Sequence, residues 1–209
     1  MSLIYKKARR AYRKGRKYYK KNQSTADRAL RVALKTASML NPEYKVLDTG
    51  EGTNIGTTAN VWSLSDISQG DGVTQRDGRS CKVTSLSLNG RYLLNSSASA
   101  DHIRTIVFID KDSDGATPTA TDLLSQADPM SHYNVTTDQN RFRVLYDRLD
   151  SLVNDGGDQV CWQFSCPMNH HLKFDGVASS DASYGRIWCL QLGNQATNTC
   201  INDVYPPGS

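Results

Sequence analysis

Hydrophobic positions along most of the chain recur with a period of two, in short runs broken by Gly, Asp, Asn and Ser. Strands are expected at 44–49, 58–68, 79–94, 102–111, 141–149, 160–174, 184–193 and 199–205. In the 79–94 run, Leu86, Leu88, Tyr92 and Leu94 share one face with Gly90. Ser85, Ser87, Asn89 and Arg91 share the other. From His102 to Asp110 both rows are apolar, with Ile103, Thr105, Val107 and Ile109 alternating with Arg104, Ile106 and Phe108. That pattern belongs to a strand inside a sandwich, not to an exposed edge.

Helical spacing appears twice. Leu30, Ala33, Leu34, Ala37 and Leu40 form one stripe, Ser24 and Asp27 resemble a capping box before it, and Asn41-Pro42 ends it. Thr119 precedes Asp122 by three residues, Leu123-Leu124 follow, and Asp128-Pro129 close that segment. Eight strand candidates with one or two short helices and no βαβ alternation predict an all-β fold. The architecture expected is an eight-stranded jelly-roll sandwich behind a disordered basic N-terminal arm. The boundaries expected are 1–23 for the arm, 24–41 for an amphipathic linker helix and 42–209 for the sandwich.

Charge sharpens that division. Residues 1–36 hold 13 Lys/Arg against one acid, a net of +12, while residues 37–209 hold 12 Lys/Arg against 20 acids, a net of −8. The overall +4 therefore hides a basic arm on an acidic body. Lys6, Lys7, Arg9, Arg10, Arg13, Lys14, Arg16, Lys17, Lys20 and Lys21 surround Tyr12, Tyr18 and Tyr19. The cations can neutralise phosphates without reading sequence, and the tyrosines can stack on unpaired bases. These thirteen residues are the candidate nucleic-acid-binding set. An interfacial membrane segment would need an apolar face, which residues 6–21 lack. The same basic cluster also fits recognition by a nuclear import receptor.

The remaining candidate chemistry is thin. No apolar run approaches the roughly 20 residues that span a bilayer. MSLIYKKARR does not read as a secretory signal, and the odd count of five cysteines fits reduced thiols. Asp110, Asp112 and Asp114 open like a calcium loop, but position twelve is Thr121 and a strand precedes them, so a polar turn is the favoured reading. Cys161, Cys166, His170 and His171 lack zinc-finger spacing. On an unbroken strand the two thiols point to opposite faces. Gly50, Gly52 and Gly56 miss the dinucleotide spacing and read as a flexible loop. No hydrolase elbow, zinc-protease or P-loop motif is present, so neither a catalytic site nor a cofactor is expected.

A more specific pattern runs from Asp66 to Arg148. It includes Gln69-Gly70, Arg76-Asp77-Gly78, the stretch Lys82 to Gly90, Ile103 to Asp112, Gly115 to Thr119, Asp122-Leu123-Leu124 and Arg141 to Asp147. With the basic, Tyr-containing arm before it, this resembles the capsid proteins of circular, Rep-encoding single-stranded DNA viruses. It is similar too to the satellite tobacco necrosis virus coat. The resemblance implies a shell protein that self-assembles into a small icosahedral particle, T=1 by expectation, with the arm inside on a single-stranded genome. DNA is favoured over RNA as cargo, with the virion and, during assembly, the host nucleus as locations. The competing readings are a cellular nucleic-acid-binding protein with a β-sandwich body and a jelly-roll enzyme or lectin with a basic tail. The enzyme reading would need His and carboxylate clustered on adjacent strands.

Overall fold

Among the described residues, nine strands form two antiparallel sheets. One runs β1 (Glu51–Ile55), β9 (Cys200–Tyr205), β3 (Ser80–Leu93), β6 (Gln159–Phe174) and β7 (Ala182–Tyr184). The other runs β2 (Asn60–Ser63), β8 (Arg186–Gly193), β4 (Ala100–Asp110) and β5 (Phe142–Val153). The computed structural model describes residues 25, 27–33, 45–48, 50–95, 97–113, 115–134, 141–154, 159–180, 182–195 and 200–205. By contacts the chain divides into two compact units, Met1–Tyr44 and Lys45–Ser209. In the first unit residues 27–33 are helical and exposed.

The pairing is nested. β4 pairs with β5, β3 with β6, β2 with β8 and β1 with β9, and successive pairs alternate between the sheets. A two-stranded ribbon folded over on itself gives this order, which is the jelly-roll arrangement. β7 is a three-residue addition at the edge beyond β6, and it raises the strand count from the expected eight to nine.

Two expectations near the start of the sandwich need correction. Residues 45–48 form no strand, and the first strand is Glu51–Ile55, inside the glycine-containing stretch expected to be a loop. Its sequence is a weak strand former, and β9 from the far end of the chain supplies its main-chain partners, Glu51 opposite Val204 through Ile55 opposite Cys200. Ile55 is fully buried and anchors the strand in the core.

β4 and β8 explain the layering. Their inward rows place Ile103, Val107, Ile109, Ile187 and Cys189 in the core between the sheets. Their outward rows place Ile106, Phe108, Trp188, Leu190 and Leu192 in a second buried cluster. The β4–β5 connection covers that second face with Ala120, Leu123, Leu124 and Tyr133. Leaving those five outward side chains wet would forfeit roughly 8–15 kcal/mol. That is comparable to the whole net stability of a domain, about 5–15 kcal/mol, so the cover is obligatory. The helix Ala120–Leu123 starts where the Asp122 carboxylate accepts from the Thr119 N–H at 2.7 Å and from its hydroxyl at 2.8 Å.

One polar clamp pins the cover. Arg104 projects from the outer face of β4 and donates Nε to Asp147 Oδ1 at 2.9 Å and Nη2 to Oδ2 at 2.7 Å. Its Nη1 donates to the carbonyls of Pro129 and Ser131, and Tyr133 donates its hydroxyl to Asp147. Burial raises the Asp147 pKa, but the hydrogen bonds from Arg104 and Tyr133 and the Arg104 charge outweigh it, so the carboxyl ends below its ordinary 3.8. Burial, helped by the bond to Asp147, pushes the Tyr133 phenol up to about 12.

Inside the sandwich, Trp162 of β6 lies across from Gly90 of β3. A Cβ on Gly90 would stand 2.3 Å from the indole. Trp162 stacks with Tyr92 at 5.9 Å and Tyr146 at 6.1 Å between ring centres.

Gly90→Ala is therefore expected to lower stability by about 1–3 kcal/mol, read from the urea midpoint, because the indole has nowhere to move in a packed core. For the clamp, a carboxyl with a lowered folded pKa contributes stability that is present above its unfolded value and lost as pH falls through the folded one. Asp147→Asn should accordingly be less stable than the parent at neutral pH, with the difference shrinking below the carboxylate range. Ultraviolet titration should also show that Tyr133→Phe removes a phenol that ionises near 12.

Candidate assembly surface

The candidate nucleic-acid residues Lys6 to Lys21 lie outside the described residues. Of the linker stripe, Leu30 is 59 % exposed and Ala33 is exposed, while Leu34, Ala37 and Leu40 lie outside the described residues.

The Asp110 turn is occupied by an arginine. Asp110 is fully buried, and Arg141 donates Nε to its Oδ1 at 2.9 Å and Nη2 to its Oδ2 at 2.8 Å. Oδ1 also accepts the Asp112 N–H at 3.1 Å, which closes a polar turn. Asp112 is exposed and Asp114 lies outside the described residues. Among the described residues, no group of three or more His, Cys, Asp or Glu side chains could hold a metal ion. The sequence signal for the Asp110–Arg141 pair was present but easy to miss: the two residues flank matched ends of adjacent strands, with Asp110 opposite Phe142.

The Cys/His set is dispersed as the strand alternation requires. From Gln159 to Pro167 β6 pairs without a register shift; Cys161 is exposed and Cys166 is half-buried against the core. His170 shares a hydrogen bond of 2.6 Å with the Gly185 carbonyl through Nε2, and His171 is exposed. Cys81, Cys161, Cys166 and Cys189 are free thiols, and full burial pushes the Cys189 thiol well up.

Sequence reasoning did not reach the two features that shape the surface. One is Arg76, only 3 % exposed, which donates to the carbonyls of Ile67, Gly78 and Gly176 and stacks on the Phe174 ring at 4.0 Å. It fastens the β2–β3 connection to the β6–β7 loop. The other is a pair of long edges on one side of the sandwich. β5 is the last strand of its sheet, and β7 covers β6 only at Lys173 and Phe174. The β6 edge is blunted by Pro167, by a bulge beside it and by the exposed polar row Gln163, Ser165, Asn169 and His171. The outward row of β5 instead exposes Val144, Leu149 and Val153, at 37, 43 and 52 %. A strand edge of this kind can make contacts with another protein chain; it offers no arrangement for covalent chemistry.

Residues 13–204 match the family of the Satellite tobacco necrosis virus coat protein. The coat protein of Maize white line mosaic Satellite virus is 39 % identical over 103 residues, 48 % of this chain and 47 % of that relative, so the match spans about half of that protein. The capsid protein of Satellite tobacco necrosis virus 1 is 32 % identical over 148 residues, 68 % of this chain and 74 % of that relative. Both relatives fall on the satellite-virus side of the resemblance read from the sequence. With a nested jelly-roll body and a family match over nearly its whole length, the chain belongs to the satellite tobacco necrosis virus coat protein family and has the structural role of a viral capsid protein.

Proposed function

We propose that this chain is the shell subunit of a small icosahedral particle and packages a single-stranded viral genome through residues 1–23. The observation that carries the reading is the charge split, +12 in the first 36 residues against −8 in the rest, on a chain of this family. Packaging must offset the repulsion of confined phosphates, and cations on an arm do so without sequence readout. An acidic body keeps assembled shells soluble and apart. A T=1 shell of identical subunits is the simplest closed arrangement for a subunit of this size.

RNA now takes precedence over DNA as the proposed cargo, since both relatives are satellite-virus proteins. The sequence taken alone favoured DNA. Recognition of the arm by a nuclear import receptor rests on its charge alone.

Deleting residues 1–23 should leave the sandwich folded, with an unchanged β-type circular dichroism spectrum, and should cut the nucleic acid co-purifying with particles at least several-fold. Equal retention by the truncated and full chains would show that the arm is not the binding element. Affinity for a single-stranded oligonucleotide should fall linearly on a log–log plot against salt, with a slope of about −0.7 per phosphate neutralised. Nucleic acid extracted from particles should be destroyed by ribonuclease and survive deoxyribonuclease; the reverse result would return the DNA reading.

A further inference from the structure

We propose that β5 is a subunit contact in which a second copy's β5 pairs with it antiparallel about a two-fold axis at Leu149. Two four-stranded sheets would thereby become one eight-stranded sheet across two copies. The inference rests on the self-assembling role proposed above and names the surface that serves it.

Three observations converge on this strand. The first is the edge itself. Among the described residues no strand pairs with the free side of β5, and its stretch 146–153 runs in register with β4 without a bulge. A long regular edge presents a row of main-chain donors and acceptors ready for another strand. The second is the exposed apolar row, centred on Leu149, which the neighbouring β6 edge lacks.

The third is a carboxylate with unfinished bonding. Asp150 points into the sandwich and is only 7 % exposed. Arg148, on the same side of the strand, reaches only one oxygen of that carboxylate, Nε to Oδ1 at 2.8 Å and Nη2 to Oδ1 at 2.7 Å. The other oxygen, Oδ2, is buried and accepts nothing. A buried charged group left half-bonded is costly, so such a group marks a missing partner.

A second copy supplies that partner in one register only. Pairing β5 with itself about Leu149 sets Leu149 on Leu149, Asp147 opposite Ser151 and Arg148 of each copy opposite Asp150 of the other. Centring the pair on 147, 148 or 150 instead sets Asp on Asp, Arg on Arg or Asp on Asp. The charges that protect an edge from indiscriminate pairing thus admit a partner with this sequence in this alignment. The contact is isologous, as a two-fold axis of a closed shell requires.

The test uses the full chain. In Leu149→Cys the new thiols face each other across the axis, at a separation that an antiparallel pair makes suitable for a disulfide. Mild oxidation should add a covalent dimer to non-reducing gels of the variant that the parent chain does not give. Arg148→Asp and Asp150→Arg should each weaken dimerisation at least tenfold in sedimentation velocity. Mixing the two variants should restore it, because the two carboxylates of one variant would face the two guanidinium groups of the other while the pair within each strand stays broken. Association of the parent chain without an added cross-link in Leu149→Cys overturns the β5 contact and leaves the coat role standing. Failure of the mixture to associate better than either folded variant alone overturns it as well. If the parent chain forms no oligomer at all, both readings fall.

Discussion

A sheet that is apolar on both faces needs two covers, and that constraint organises this protein. β8 is buried at every position from Arg186 to Gly193, so its sheet cannot serve as an outer wall in the way a sheet with one polar face can. The opposite sheet covers one face. The β4–β5 connection, otherwise an ordinary long loop, must cover the other and is held down by Arg104 and Asp147. The nested pairing, the short helix at Ala120 and the clamp all follow from that double burial.

Polar groups inside the sandwich obey the same economy of space. Tyr92 shares a hydrogen bond with Thr105 and accepts from Gln191 Nε2 at 2.9 Å, bridging the sheets with groups that would each be expensive alone. Burial pushes the Tyr92 phenol well up, which keeps it neutral and able to hold that bridge. The Arg141–Asp110 pair performs a related task at the end of β4, where a buried carboxylate would otherwise stand uncompensated.

What could be read from the sequence follows from how local each signal is. The strand at 102–110 was legible on both faces because its alternation is complete, whereas the close packing of Trp162 on Gly90 became visible only with the pairing of β3 and β6. The Cys161–Cys166 separation followed from period two alone. β1 was not legible: its Glu, Gly and Asn carry little strand preference, and its pairing comes from a strand about 150 residues later. The Asp110 turn looked like the opening of a cation loop because its real partner, Arg141, is 31 residues away. The basic arm is legible from composition because charge needs no fold to be counted. The edge strand that presents Leu149 is visible only once the order of strands in a sheet is known.

Arg76 has a consequence for how this surface can vary. Its guanidinium grips main-chain carbonyls and one aromatic ring, and among the described residues no carboxylate pairs with it. A carbonyl is the same whichever side chain sits beside it. The two loops that Arg76 fastens together can therefore exchange their exposed residues while keeping their course, so long as Arg76 and Phe174 persist. Substitutions in those exposed loop positions would thus leave the fold beneath them in place.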